Sequence, residues 1–79
     1  MNTPVAAYEM IRGSDVDRDG MYLELVESST RKVVAEVFYS DVTNAMTFTT
    51  FTQDLPLAAV EMLVECAKSD LPPITPVQP

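Results

Sequence analysis

Residues Lys32 to Ser40, with the sequence KVVAEVFYS, decide the fold of this chain. Valine, phenylalanine and tyrosine favour extended backbone, so this stretch predicts a β-strand. Asp41 to Asn44 begins and ends with turn-forming side chains, and Ala45 to Thr52 then continues as a second strand with four threonines and two phenylalanines. Strands joined by so short a turn pair antiparallel, with Ser40 opposite Ala45.

This pairing predicts one apolar face, because successive side chains of a strand point to opposite sides of the sheet. The apolar face is the candidate core, and a helix is expected to cover it. Its members are Ala35, Val37 and Tyr39 on one strand and Met46, Phe48 and Thr50 on the next.

Two more strands are predicted before this hairpin. Met21 to Glu27 alternates apolar and polar residues and is followed by a turn at Ser28 to Arg31. A weaker strand covers Val5 to Arg12, and the polar stretch Gly13 to Gly20 connects the two.

The turn after Met21 to Glu27 allows two registers. A three-residue loop, Ser29 to Arg31, places Leu23 on the core face and sets Glu24 directly opposite Glu36. A two-residue loop separates the carboxylates but moves Glu36 to the side of Leu23. We favour the three-residue loop, because one face of the sheet must be dry.

A helix is predicted after the last strand. Asp54 or Gln53 precedes it, and Pro56 suits its first turn. It ends at Leu71-Pro72-Pro73, because a residue before proline disfavours helical backbone. The predicted buried stripe consists of Leu57, Val60, Leu63, Val64 and Ala67, widened by Ala59, Met62 and Cys66.

Together these elements predict an α+β fold: an antiparallel β-meander of three to four strands with one C-terminal helix packed on one face. The 79 residues suffice for one domain, expected at residues 1–71. Residues 72–79 form a Pro-rich C-terminal tail with P-x-x-P spacing, which could dock in an aromatic groove. Its composition favours an unstructured end that stops the helix.

The sheet face opposite the helix is predicted to bind a protein. A single helix covers only one face, and an uncovered apolar patch on a small protein marks a contact surface, unless the N-terminal strand or the tail covers it. The expected partner is a second copy, in a homodimer or larger homo-oligomer, or a basic protein. The predicted partner-binding residues are Tyr22, Val26, Val34, Phe38 and Phe51.

The stretch Asp15-Val16-Asp17-Arg18-Asp19-Gly20 has the spacing that begins a calcium loop. An EF-hand would need glutamate at the twelfth position, where Val26 stands, and its flanks would be helices rather than strands. The stretch is better explained as a hairpin turn at Asp19-Gly20. A looser calcium site at Asp15, Asp17 and Asp19 is the alternative, and Ca²⁺ is the only cofactor that the sequence suggests.

Composition argues against most other functions. Twelve acidic and five basic residues give a net charge of −7, which disfavours nucleic-acid binding. Histidine is absent and Cys66 is the single cysteine, so the usual zinc sites and an activated thiol are not expected. Glu24 and Glu36 are the only candidate acid–base pair. With neither a signal peptide nor a membrane-spanning run, a cytoplasmic protein is expected.

Several short motifs resemble a group of small uncharacterised bacterial proteins. They are Asp19 to Leu25, AEVFYSD at Ala35 to Asp41, MTF at Met46 to Phe48, DLPL at Asp54 to Leu57 with Val60-Glu61, and the closing Leu71-Pro72-Pro73. The resemblance covers residues 19 to 73. It implies a bacterial cytosolic origin and no particular chemistry.

The sequence therefore predicts a small acidic, non-enzymatic interaction module. A calcium-binding module that uses the DVDRDG loop is one alternative. A phage- or toxin-related inhibitor or immunity protein is another, and an enzyme that uses Glu24 and Glu36 is the third.

Overall fold

The computed structural model describes residues 7–72, which form a four-stranded antiparallel sheet with one helix on one face. The elements are β1 (Tyr8–Asp15), β2 (Gly20–Glu27), β3 (Val33–Ser40), β4 (Met46–Thr50) and α1 (Leu57–Asp70). The strands lie side by side in chain order, so the predicted α+β meander with a C-terminal helix is confirmed. The tail's P-x-x-P motifs, from Pro73 onward, lie outside the described residues.

All three hairpins turn through a four-residue loop whose last residue has left-handed backbone. The loops and their left-handed residues are 16–19 with Asp19 (φ 54°), 28–31 with Arg31 (φ 61°), and 41–44 with Asn44 (φ 61°). The Glu27 N–H donates to the Lys32 carbonyl at 2.9 Å, and the Ser40 N–H donates to the Ala45 carbonyl at 3.0 Å. The four-residue loop predicted after Ser40 is thus confirmed.

The β2–β3 hairpin differs from the prediction by one residue. Its loop is Ser28 to Arg31, one residue longer than expected, so Val26 pairs with Val33 and not with Val34. A bulge corrects the offset, because the register shifts between Leu25 and Val26 and leaves Val34 without a partner on β2. Val34 consequently turns to the helix side, where it is 7% exposed and belongs to the core. Its predicted place on the outer face is wrong.

Beyond the bulge the register is as predicted. On the outer face, Tyr22 lies opposite Phe38 and Glu24 lies opposite Glu36. On the helix side of β3 and β4, the pairs are Ala35 with Thr50, Val37 with Phe48 and Tyr39 with Met46.

α1 buries a narrower stripe than predicted. Ala59, Leu63 and Ala67 recur every four residues and are at most 1% exposed, and Leu71 extends the stripe past the helix end. Leu57 was expected in this stripe but is 70% exposed. The stripe packs mainly over β2 and β3, against Leu23, Leu25, Ala35 and Val37.

Both ends of α1 are held by hydrogen bonds to backbone carbonyl groups. Pro56 precedes the first turn as the N-cap, and its carbonyl accepts the Ala59 N–H at 3.0 Å. The helix ends at Asp70, as predicted, and Arg12 Nη1 of β1 donates to the Asp70 carbonyl at 3.2 Å. A cation at a helix C-terminus is favourable, because it meets the negative end of the helix dipole. Among residues 7–72, no helix has the length and apolarity needed to span a membrane.

Candidate interaction surface

The five residues predicted to bind a partner do not form one surface. Val34 lies on the helix side, and Val26 is only 3% exposed. Tyr22 and Phe38 share the outer face but are half-buried, and Phe51, at 59%, is the only well-exposed member. The outer face is therefore not the open apolar patch that the sequence indicated.

Arg18 of the β1–β2 loop covers part of the outer face. Its Nε donates to Asp15 Oδ2 at 2.6 Å, and its Nη2 donates to Glu36 Oε2 at 2.8 Å. The guanidinium carbon lies 4.1 Å from the centre of the Phe38 ring, which is a cation–π contact. One side chain thus covers part of the Phe38 ring and pairs with the Glu36 carboxylate.

The two glycines of the chain make room for the two aromatic rings of the outer face. Neither glycine has a positive φ, so close approach rather than backbone conformation explains them. A Cβ on Gly13 would meet the Tyr22 hydroxyl. A Cβ on Gly20 would meet the Tyr39 carbonyl and lie 2.5 Å from Phe38 Cζ.

The predicted calcium ligands are not brought together. The Asp15 carboxylate accepts the backbone N–H groups of Asp17 (3.1 Å) and Arg18 (3.2 Å), besides the Arg18 side chain. The hydrogen bond from the Arg18 side chain holds the pKa of Asp15 below its usual value. Within residues 7–72, no three acidic or cysteine side chains converge on one point. Asp15 to Gly20 forms the hairpin turn, in which Asp19 supplies the left-handed residue.

Glu24 and Glu36 face each other on the flat outer side of the sheet. Burial, with a smaller contribution from the charge of Glu36, raises the pKa of Glu24. The Glu36 carboxylate is paired with Arg18, and its side chain is 12% exposed. This arrangement does not place a substrate between the two carboxylates. Cys66 is partly buried and packs against the core.

Four of the seven exposed large apolar side chains of the described residues lie between residues 46 and 57, in β4 and in the chain that follows it, and β4 is an edge of the sheet. All five residues of β4 are exposed. The large apolar side chains of this region, with their exposed fractions, are Met46 (39%), Phe48 (46%), Phe51 (59%) and Leu57 (70%).

An apolar cleft lies between β4 and α1. It has a volume of about 180 Å³. Ligand pockets for drug-sized molecules measure roughly 300–1,000 Å³, so this cleft fits a side chain or two rather than a small-molecule ligand. It is lined by Val37, Met46, Thr47, Phe48, Val64, Ala67 and Lys68.

Within the part of the chain that the structure describes, β4 carries neither a charged residue nor a proline, the two residue types that most directly keep a strand edge from pairing. No charged residue occurs between Asp41 and Asp54, the longest uncharged run of the chain. The opposite edge, β1, carries Glu9 and Arg12. Charges on an edge strand discourage a further strand from pairing with it, so β1 is protected and β4 is not.

The outward hydrogen-bonding groups of β4 follow from its pairing with β3. Ala45 accepts the Ser40 N–H, and the Phe51 N–H donates to the Val34 carbonyl at 2.9 Å. Because such pairs alternate along an antiparallel ladder, the odd-numbered residues of β4 bond to β3. The N–H and C=O groups of the even-numbered residues point away from the sheet. These residues are Met46, Phe48 and Thr50.

Sequence reasoning placed Met46 and Phe48 on the correct face but assumed that the helix covers them. A usable signal was present. A helix is about 10–12 Å wide with its side chains, whereas the outer two of four strands about 4.8 Å apart lie roughly 14 Å from each other, so a helix centred over β2 and β3 does not reach fully across both edges. One helix therefore leaves an edge strand bare, and the uncharged run marks which edge.

Comparisons with known proteins add no relative to this picture. Protein-family models, curated proteins and solved structures contain no match to the chain. The resemblance to small bacterial proteins stays a prediction, and the geometry of the β4 edge carries the functional conclusion.

Proposed function

We propose that this protein is a non-enzymatic interaction module whose β4 edge accepts an extended strand from a protein partner. The observation that carries this proposal is the combination found at β4: an exposed, uncharged edge strand, whose outward backbone groups face away from the sheet of residues 7–72, beside an apolar cleft. Strand addition of this kind uses main-chain hydrogen bonds for affinity and pockets for alternate side chains for specificity.

The two faces of the added strand meet different surroundings. Side chains on the helix side lie next to Phe48 and reach the cleft under α1, where Lys68 forms part of the lining. Side chains on the other side lie next to Thr47 and Thr49, which share the outer face. The partner strand should therefore alternate apolar residues with small, uncharged ones.

A single backbone N–H provides the test. Thr50→Pro removes an outward N–H of β4, and proline is tolerated where a strand's N–H faces solvent. Thr50→Ala is the matched control, because it removes the same side chain and keeps the N–H. Circular dichroism and melting curves establish that both variants fold.

The assay is selection of a random peptide library against the immobilised wild-type chain. Selected peptides should bind Thr50→Ala as they bind the wild type and bind Thr50→Pro at least about tenfold more weakly, a loss of about 1.4 kcal/mol. Peptides that bind both variants equally would refute strand addition at β4, as would a library that yields no binder.

A further inference from the structure

Building on the proposed strand-accepting edge, we infer that the strand which occupies it is β4 of a second copy of this chain. The two β4 strands pair antiparallel about a two-fold axis at Phe48. The result is one continuous eight-stranded sheet, four strands from each copy, with both α1 helices on the same side.

The hydrogen-bonding pattern selects this register. An antiparallel pair of identical strands places a residue on the axis opposite itself, and a pair exchanges two bonds only where both residues point their groups at the partner. With Phe48 on the axis, Phe48 pairs with Phe48, and Met46 pairs with Thr50 in both directions. The backbone groups of all three outward residues of each copy then form hydrogen bonds with the other copy. A shift of the axis by one residue in either direction leaves at least one of them without a partner.

The side chains are compatible with the same register. Phe48 of each copy becomes the neighbour of its counterpart on the helix side, next to the two clefts. Thr47 lies opposite Thr49 of the partner on the outer side, and no charged residue lies within the paired segment. Aromatic pairs and threonine pairs across strands both stabilise sheets.

Charge explains why the contact uses this edge. Two copies that each carry −7 repel each other, and they approach most easily where neither presents a charge. The uncharged run between Asp41 and Asp54 is that place. Because the repulsion acts between exposed charges, added salt should screen it and tighten the dimer. Binding of a basic protein at the same edge would weaken with salt instead.

The available area indicates a reversible dimer. Phe48 and Phe51 are 46% and 59% exposed. If a bare aromatic side chain presents about 200 Å², these two rings offer roughly 200 Å² per copy. With one short strand added, the interface falls in the class below about 1,200 Å² that transient complexes occupy. We therefore expect association at micromolar rather than nanomolar concentration.

Charge reversal at the axis tests the inference. Phe48→Glu and Phe48→Lys each place like charges face to face, so each variant alone should be monomeric where the wild type is dimeric. Mixed in equal amounts, they should associate at least about tenfold more tightly than either does alone, because the carboxylate introduced in one copy then faces the ammonium group introduced in the other. Val16→Glu adds the same charge at an 84% exposed apolar residue of the β1–β2 loop, outside the paired segment, and should dimerise like the wild type, apart from a small general repulsion.

Sedimentation equilibrium at micromolar concentrations measures the monomer–dimer equilibrium of the wild type, the three variants and the mixture. The inference is overturned if the wild type stays monomeric, if the mixture is no tighter than the separate variants, or if Val16→Glu weakens the dimer as much as Phe48→Glu. A monomer whose Phe48 amide is protected from hydrogen exchange would mean that a terminal segment of the same chain occupies the edge. A monomer that still binds library peptides through the Thr50 N–H would overturn this inference and leave the proposed function standing.

Discussion

Adding one methyl group to each of the two glycines should have different effects. In a strand, alanine is usually more stable than glycine by about 0.5–1 kcal/mol, because glycine loses more backbone freedom on folding. Neither Gly13 nor Gly20 has a positive φ, so alanine fits the backbone at both positions. The atoms around the added Cβ therefore decide whether the substitution stabilises or destabilises the protein.

At Gly20 the new Cβ has no space. It would meet the backbone carbonyl of Tyr39 and lie 2.5 Å from Phe38 Cζ, whereas carbon atoms pack best at about 3.5–4.0 Å. The Phe38 ring cannot easily retreat, because Arg18 lies against it at 4.1 Å. Overpacking of this kind costs about 1–3 kcal/mol. After the gain of about 0.5–1 kcal/mol in backbone entropy, Gly20→Ala should lose about 1 kcal/mol of stability, and at most about 2.5 kcal/mol.

Gly13→Ala is the matched control. The atoms nearest to its Cβ would all belong to the end of the Tyr22 side chain, and a side-chain end moves aside at a lower cost than a backbone carbonyl does. We expect the free energy of unfolding to stay within about 0.5 kcal/mol of the wild type, as for ordinary surface changes.

Urea unfolding measures the free energy of unfolding of both variants, provided that their m-values equal that of the wild type. A chain of this size is expected to have a stability of about 4–12 kcal/mol, so a loss of about 1 kcal/mol is readily resolved and lowers Tm by about 4–8 °C. The reasoning is refuted if Gly20→Ala is as stable as the wild type, or if Gly13→Ala is the more damaging change.

Two further changes test the core and the outer face. Leu63, fully buried on α1, should lose about 2–5 kcal/mol on truncation to alanine, and a loss below about 1 kcal/mol by urea unfolding would contradict the packing described. Burial and the Glu36 charge raise the pKa of Glu24 on folding, so ionised Glu24 lowers stability at neutral pH, and this penalty disappears as pH falls through the raised pKa. Glu24→Gln should therefore stabilise the protein by about 0.2–1 kcal/mol at neutral pH and have no effect below about pH 4. A benefit that is the same at both pH values would refute this origin.

The fold was largely readable from the sequence, because its strong signals are local. Alternating apolar residues identify β2 and β3, and turn residues at both ends of 41–44 identify the β3–β4 hairpin. Helical spacing and Leu71-Pro72 identify α1 and its end. These signals act over a few residues, so no knowledge of distant contacts was needed.

The errors came from features that depend on distant contacts. Val34 lies on the helix side and not on the predicted outer face, because a bulge shifts the β2–β3 pairing by one residue between the turn and the rest of the sheet. Leu57 is exposed because the rotation of α1 is set by Ala59, Leu63 and Ala67, whose small or fitting side chains pack over β2 and β3. Val34, wrongly placed on the outer face, had made that face look like the contact surface. The bare β4 edge follows only once the position of the helix is known.

The single four-residue loop type that joins neighbouring strands also has a kinetic consequence. Each strand pairs with the strand next to it in the chain, so every step of sheet assembly closes only a short loop. Hairpins of this size form within roughly 1–10 μs, and proteins dominated by such local pairings fold faster than those that join distant segments. Sheet formation can then proceed from one hairpin to the next without a slow search. A chain with an unprotected β4 edge benefits from this speed, because it spends little time with all its strand edges open to other chains.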